Sequence, residues 1–168
     1  FSMKVLIPYL ENLRLKDMIV ISPDAGGVER ARAFAKRLGV NLAIIDKRRE
    51  AANEAKAMNI IGDVVDKVCF VVDDMIDTAG TLVEGTAALL EAGAREVHAC
   101  CSHAVLSGPA IDRISKSEIQ SIVATNTIPV RDAMRNHPKI KILSVAPLLG
   151  EAILRINRET SVSSLFDL

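Results

Sequence analysis

The stretch VVDDMIDTAGT, residues 71–81, runs from apolar residues into three carboxylates, Asp73, Asp74 and Asp77, and then into small hydroxylated residues around Gly80. That order of residue types predicts a strand end turning into a helix start. The first backbone N–H groups of such a helix have no intrahelical acceptor, and together with the helix dipole they form an anion site. Thr78 and Thr81 can add hydroxyl donors, and Gly80 lets the backbone approach a phosphate with no side chain in the way. The acids need another partner. They would repel a bare anion, but they can accept hydrogen bonds from sugar hydroxyls or help to hold Mg²⁺. Together these parts describe a site for a phosphorylated sugar. The plainer reading, in which the acids merely cap or solvate a turn, leaves the rest of the string without a purpose.

Two other predicted strand ends carry chemistry. MIVIS ends in PDAGG, which puts Asp24, Gly26 and Gly27 at the start of a helix, as a turn or as part of the same site. NLAIID ends in three consecutive cations, Lys47, Arg48 and Arg49, followed by AANEAKAMN, which is polar and has no strand period. A solvated face is the ordinary reading of a charge run. A mobile basic loop facing two acidic, phosphate-binding turns could instead close over a polyphosphate and neutralise charge that develops in a transition state. The histidines are less informative. His98 lies in a strand pattern and reads as a packed, satisfied ring. His103 follows a strand end and either faces the crevice or stabilises a loop, and His137 sits in a surface loop. There is no nucleophile-elbow sequence and no P-loop lysine motif.

These residues need elements to place them. Six β-rich runs (18–22, 41–46, 67–74, 96–102, 121–126 and 139–145) alternate with segments at helical spacing, as in βαβ units with a parallel sheet. Residues 26–39 and 81–94 are the clearest helices. An amphipathic segment at 4–15, a short one at 107–117 and a closing one at 146–158, with Pro147 in its first turn, are expected as well. The fold class is thus α/β, a doubly wound, mainly parallel sheet with helices on both faces, in one domain over residues 1–168. In such a sheet ligands bind beyond the carboxyl ends of the strands, which is where the three charged or glycine-bearing ends fall.

Composition narrows the partners. With 21 basic and 21 acidic residues the formal net charge is zero, so no global field favours nucleic acid or an anionic membrane. No apolar run reaches the roughly 18 residues of a membrane span. A cytoplasmic location is expected, with Cys69, Cys100 and Cys101 as buried, reduced thiols.

VVDDMIDTAGT resembles the phosphoribosyl-pyrophosphate loop of type I phosphoribosyltransferase folds. Together with SPDAGGVERARAFAKRLG, LAIIDKRRE, MNIIGDV, VLSGPAIDRI, TNTIP and SVSSLF, it is similar to the ribose-phosphate pyrophosphokinase family, over nearly the whole chain and in that family's order. The resemblance implies Mg²⁺-dependent transfer of a pyrophosphoryl group from ATP to the anomeric hydroxyl of ribose 5-phosphate, giving phosphoribosyl pyrophosphate. It assigns Thr78, Ala79, Gly80 and Thr81 to the 5-phosphate, Asp73 and Asp74 to the ribose hydroxyls and the cation, Asp77 to the same loop, and Asp24 to the metal and pyrophosphate. Lys47 and Arg49 match the mobile catalytic loop. Ser161, Ser163 and Phe166 match a regulatory site for phosphate or ADP at a subunit interface in a homo-oligomer. Family members carry a further domain of the same fold ahead of this region, so the chain alone is expected to bind sugar phosphate without efficient turnover. A free-standing phosphoribosyltransferase or a non-catalytic regulatory homologue of the synthetase would use similar residues.

Overall fold

The computed structural model describes residues 2–48 and 57–166. Its strands are β1 (Met18–Ser22), β2 (Asn41–Arg48), β3 (Ala57–Ile61), β4 (Val68–Ile76), β5 (Glu96–Ala104), β6 (Ser121–Thr125) and β7 (Ile140–Leu143). They form one seven-stranded sheet in the order β3-β2-β1-β4-β5-β6-β7. All neighbours are parallel except β2 and β3, which pair antiparallel. The helices are α1 (Met3–Leu13), α2 (Val28–Leu38), α3 (Gly80–Glu91), α4 (Ala110–Lys116), α5 (Asp132–Arg135) and α6 (Ala146–Asn157), followed by a short 3-10 turn at Ser163–Leu165.

The central strand explains the two layers. Residues 68–72 of β4 are all buried, and strand alternation sends them to opposite faces. Cys69 and Val71 join a core with Leu82 and Leu89 of α3 and Ile114 of α4. Phe70 and Val72 join a second core with Leu6 and Leu10 of α1 and Phe34 of α2. Helix α2 is well specified locally. Glu29 lies in its first turn, Lys36 and Arg37 lie in its last, and Gly39 closes it in the left-handed conformation at φ 66°. The cysteines fall in these cores as free thiols, and burial pushes Cys69 and Cys101 up to about 12, with Cys100 also raised.

The segment after β2 departs from expectation. Residues 57–59, read as part of a polar loop, belong to β3, whose Met58 and Ile60 pack against the core while Asn59 faces solvent. The strand period was present, but it spans too few residues beside the polar run to stand out. Gly62 ends β3 at φ 124°, where a Cβ would come within 2.7 Å of the Ala43 Cβ, so a larger residue could not let the hairpin lie this close. The basic run also begins inside β2 rather than after it, with Lys47 paired to Met58 in the ladder. Arg49 and the rest of the predicted loop, to residue 56, lie outside the described residues. The four-residue helix α5 was not expected.

Between β1 and β4 the winding reverses. The chain leaves β1 through α2 to β2 on one side, and after β3 it returns to β4 on the other side of β1. The carboxyl ends of β1 and β4 therefore flank the switch point, the crevice where such folds bind ligands.

Candidate functional site

Strand β4 holds Asp73 and Asp74 and continues to Ile76, past the expected end at residue 74, and α3 begins at Gly80. The turn between them contains Asp77, Thr78 and Ala79. Ala79 adopts the left-handed conformation (φ 58°, ψ 8°), and no side chain caps the helix it introduces. The leading N–H groups of α3 thus point outward without an intrahelical acceptor. The left-handed backbone falls on Ala79 and not on Gly80, which was expected to let the backbone approach a phosphate closely. What Gly80 provides is close approach: a Cβ there would lie 3.3 Å from the Arg113 guanidinium.

The segment from β5 to α4 braces the turn. Leu106 N–H donates to the Ile76 carbonyl at 3.0 Å, Ser107 Oγ donates to Asp77 Oδ1, and Arg113 Nη1 donates to the Thr78 carbonyl at 2.9 Å. Asp77 is therefore engaged in holding the loop. A cavity of about 280 Å³ opens between this turn and the end of β1, lined by Asp24, Asp73, Asp77, Thr78, Gly80 and Thr81 among others. Every residue assigned from sequence to the sugar-phosphate site lies on this cavity except Asp74, which is next to it in the chain.

Asp24 holds its turn together and also lines the cavity. Its Oδ1 accepts from Gly27 N–H at 2.9 Å, and its carbonyl accepts from Ser22 Oγ at 2.7 Å. A Cβ on Gly27 would approach Ser22 Oγ to 2.9 Å, so the turn depends on that glycine.

Arg30, in the first turn of α2, joins the two acids. Its Nη1 lies 3.0 Å from Asp73 Oδ1 and its Nη2 lies 2.8 Å from Asp74 Oδ2. Asp73 Oδ1 also accepts from Asp74 N–H at 2.8 Å. Burial is the main influence on Asp73 and lifts it from the ordinary 3.8 to about 6; the Asp74 N–H and the Arg30 charge oppose this, while the neighbouring acid reinforces it. For Asp74 burial also acts upward, but the hydrogen bond with Asp73 and the charge of Arg30 outweigh it and hold that carboxyl low. The adjacent carboxyls thus titrate apart. Among the described residues no three acidic, histidine or cysteine side chains converge into a ready-made metal cluster. Two carboxylates at a cavity mouth nevertheless suit a hard cation such as Mg²⁺, which takes one or two carboxylates and completes its shell with phosphate oxygens and water.

Sequence reasoning missed Arg30, Ser107 and Arg113. Arg30 carried one signal, because a cation in the first turn of a helix opposes the dipole and calls for an acidic partner. The other two become meaningful once β5 is placed beside β4.

The remaining candidates are placed as follows. Lys47 stands near the end of β2, two strands from β4. His98 is buried, bonded to Ser121 Oγ at 2.8 Å and stacked on Phe70, a satisfied ring as expected. His103 Nδ1 bonds Thr127 Oγ1 at 2.8 Å, which favours its loop-stabilising role. His137 bonds Ser115 Oγ at 2.8 Å in the turn before β7. Ser161 and Ser163 share a 2.6 Å hydroxyl contact, and Arg155 of α6 ties the tail back through the Ser161 carbonyl and Ser164 Oγ; Phe166 is exposed.

With this geometry in hand, comparison with known proteins is decisive. The phosphoribosyl synthetase-associated domain matches residues 47–167, more than half of the chain. The chain belongs to that family. Ribose-phosphate pyrophosphokinases from Gloeobacter violaceus and Synechocystis sp. are 53% and 55% identical over 167 residues, covering 99% of this chain and 50% of each relative. The chloroplastic ribose-phosphate pyrophosphokinase 2 of Arabidopsis thaliana is 54% identical over 170 residues, covering 99% of this chain and 42% of its own length. The chain therefore spans about half the length of the curated relatives it matches. The crystal structure of phosphoribosylpyrophosphate synthetase from Mycobacterium smegmatis superimposes with a TM-score of 0.86 at 36% identity, over 94% of this chain and 51% of that one. An adenine phosphoribosyltransferase (TM-score 0.55, 18% identity, covering 71% of this chain and 76% of that one) shares the fold. Over nearly its whole length the chain is thus similar to about half of a ribose-phosphate pyrophosphokinase, and its sheet shares the fold of phosphoribosyltransferases. Among the described residues no helix is long and apolar enough to cross a membrane.

Proposed function

We propose that this chain supplies the ribose 5-phosphate and Mg²⁺ half of a ribose-phosphate pyrophosphokinase, which transfers a pyrophosphoryl group from ATP to the anomeric hydroxyl and releases AMP and phosphoribosyl pyrophosphate. The observation that carries this reading is the juxtaposition in one cavity of an uncapped helix start at Ala79 and Gly80 with the carboxylate of Asp73. The N–H groups and hydroxyls of the residues Thr78 to Thr81 hold the 5-phosphate. Asp73 and Asp74 accept hydrogen bonds from ribose hydroxyls and, with Asp24 close to the pyrophosphate, hold Mg²⁺. The cation, when bound, neutralises phosphate charge and aligns the transferring group. Lys47 and Arg49 stabilise charge on the transferring phosphates. Ser161, Ser163 and Phe166 form an effector site for phosphate or ADP in a homo-oligomer, and the work takes place in the cytoplasm. Because the relatives are about twice as long, turnover requires the half of their length that this chain does not cover.

Titration of the chain with ribose 5-phosphate in the presence of Mg²⁺ tests the cradle. Gly80→Leu should weaken binding at least tenfold, since its side chain must enter both the phosphate approach and the Arg113 position. Equal affinity would remove the cradle reading. Adding ATP and a separately produced remaining half should then generate AMP, and a mixture that makes none would sink the assignment of the reaction.

A further inference from the structure

Asp73 and Asp74 are consecutive residues of a strand, and strand alternation sends such neighbours to opposite faces. Here one guanidinium nevertheless engages both, with separate nitrogens at 3.0 and 2.8 Å. Arg30 comes from the other wall of the switch point, in the first turn of α2, where its charge disfavours the helix start. Its side chain is about a third exposed (32%), as is that of Asp73 (31%), while Asp74 is more open at 59%. Ion pairs this accessible to solvent contribute little to stability, so structural support is a weak reason for placing an arginine here. The position is instead that of a cation held between the two acids the site needs.

We infer that Arg30 is a positioning residue, a resident counter-ion that holds Asp73 and Asp74 together and is displaced when a divalent cation takes its place between them. This rests on the proposed function, since it presumes that the acids receive the cation. Two consequences separate it from an ordinary surface ion pair. With Arg30 in place the acids stay gathered without metal. Its charge also opposes the incoming cation, because the displaced guanidinium stays nearby and a +2 and a +1 charge, even in a water-like dielectric, repel enough to weaken binding roughly tenfold. Cation affinity is thereby kept low, so that the substrate's own phosphate oxygens are needed to complete a tight site.

The test is Mn²⁺ titration of the chain, followed by the electron paramagnetic resonance of free Mn²⁺, without and then with ribose 5-phosphate. Arg30→Gln, which keeps a hydrogen-bonding amide but no charge, should bind Mn²⁺ about tenfold tighter than the parent in the absence of sugar phosphate. Arg30→Lys, which keeps the charge, should return affinity close to the parent's. An Arg30→Gln variant that is folded and binds no tighter overturns the inference and leaves the proposed function standing. Asp73→Asn serves as the control: if it leaves parental Mn²⁺ binding unchanged, or if no Mn²⁺ binds to any variant, the cation assignment falls and the inference falls with it. Should Arg30→Gln fail to fold, nitrogen NMR of the guanidinium in the unmutated chain decides. Hindered rotation that is released on Mg²⁺ saturation supports displacement, and signals indifferent to Mg²⁺ overturn it.

Discussion

Helices α3 and α6 each span 12 residues and carry apolar side chains at helical spacing, yet they lead opposite lives. Helix α3 buries Leu82, Gly85, Thr86 and Leu89, whereas α6 buries none of its residues and leaves Leu149, Ile153 and Ile156 exposed at 56%, 67% and 68%. Their starts differ too. At α6 the Ser144 hydroxyl accepts from Ala146 N–H at 3.2 Å, and Pro147 has no N–H to offer. At α3 no side chain caps the start, which faces a cavity. Location makes the difference. Helix α3 follows the central strand at the switch point, while α6 follows the edge strand β7. An amphipathic helix reads the same in either place, but the order of the strands decides which one is covered and which helix start opens onto a cavity.

The sharpest way to break this comparison is to truncate one apolar residue in α3. Leu89 is fully buried within the larger core, so Leu89→Ala should cost about 2–5 kcal/mol, read from urea unfolding at an unchanged slope. A cost below 1 kcal/mol would mean that α3 is not the packed helix described.

The second test concerns charge at the α3 start. Asp73 is lifted to about 6 by burial, so below that pH it carries a proton and cannot serve a cation. Mn²⁺ binding should be level above pH 7 and fall about tenfold per unit below pH 6. Because burial outweighs the Arg30 ion pair, the stability sign is the reverse of that for an acid whose ion pair dominates. The folded state holds this proton more tightly than the unfolded chain, so ionising Asp73 between about pH 4 and 6 opposes folding, and a bound cation offsets that. Binding that stays level from pH 7 to 5 would remove Asp73 from the site.

Much of this contrast was legible in the sequence, and the reasons differ by residue. β4 announced itself through an unbroken apolar run, α2 through its helical spacing of apolar residues and closing Gly39, and the candidate site through acids and small residues gathered at one strand end. β3 was hidden because Met58, Asn59 and Ile60 give too short an alternation beside a polar stretch. The brace made by Ser107 and Arg113 was hidden for another reason, since both reach the loop across about 30 intervening residues, a contact that local periodicity cannot encode. Arg30 spans an even longer gap to Asp73.

A third test asks whether the α3 start depends on its backbone. Ala79 is buried and left-handed at φ 58°, a conformation that a β-branched side chain resists more strongly than alanine. Ala79→Val should cost about 1 kcal/mol and weaken ribose 5-phosphate binding along with it, because the same turn aims the N–H groups. A variant that loses stability but binds normally would separate the turn from the cradle.

The smallest expected effect lies on the other helix. Ile153 is 67% exposed, and isoleucine and serine have similar helix propensities, so Ile153→Ser changes little besides apolar surface. If α6 is open to water in solution as it is in the structure, the substitution should stay within about 0.5 kcal/mol of the parent, several-fold below Leu89→Ala. The comparison is sensitive to concentration. An α6 face covered by a second copy would make the parent's melting temperature rise with protein concentration, and the serine variant would lose that rise. A loss above 1 kcal/mol at every concentration would instead mean that α6 folds back onto its own sheet, and the division between covered and open helices would no longer hold.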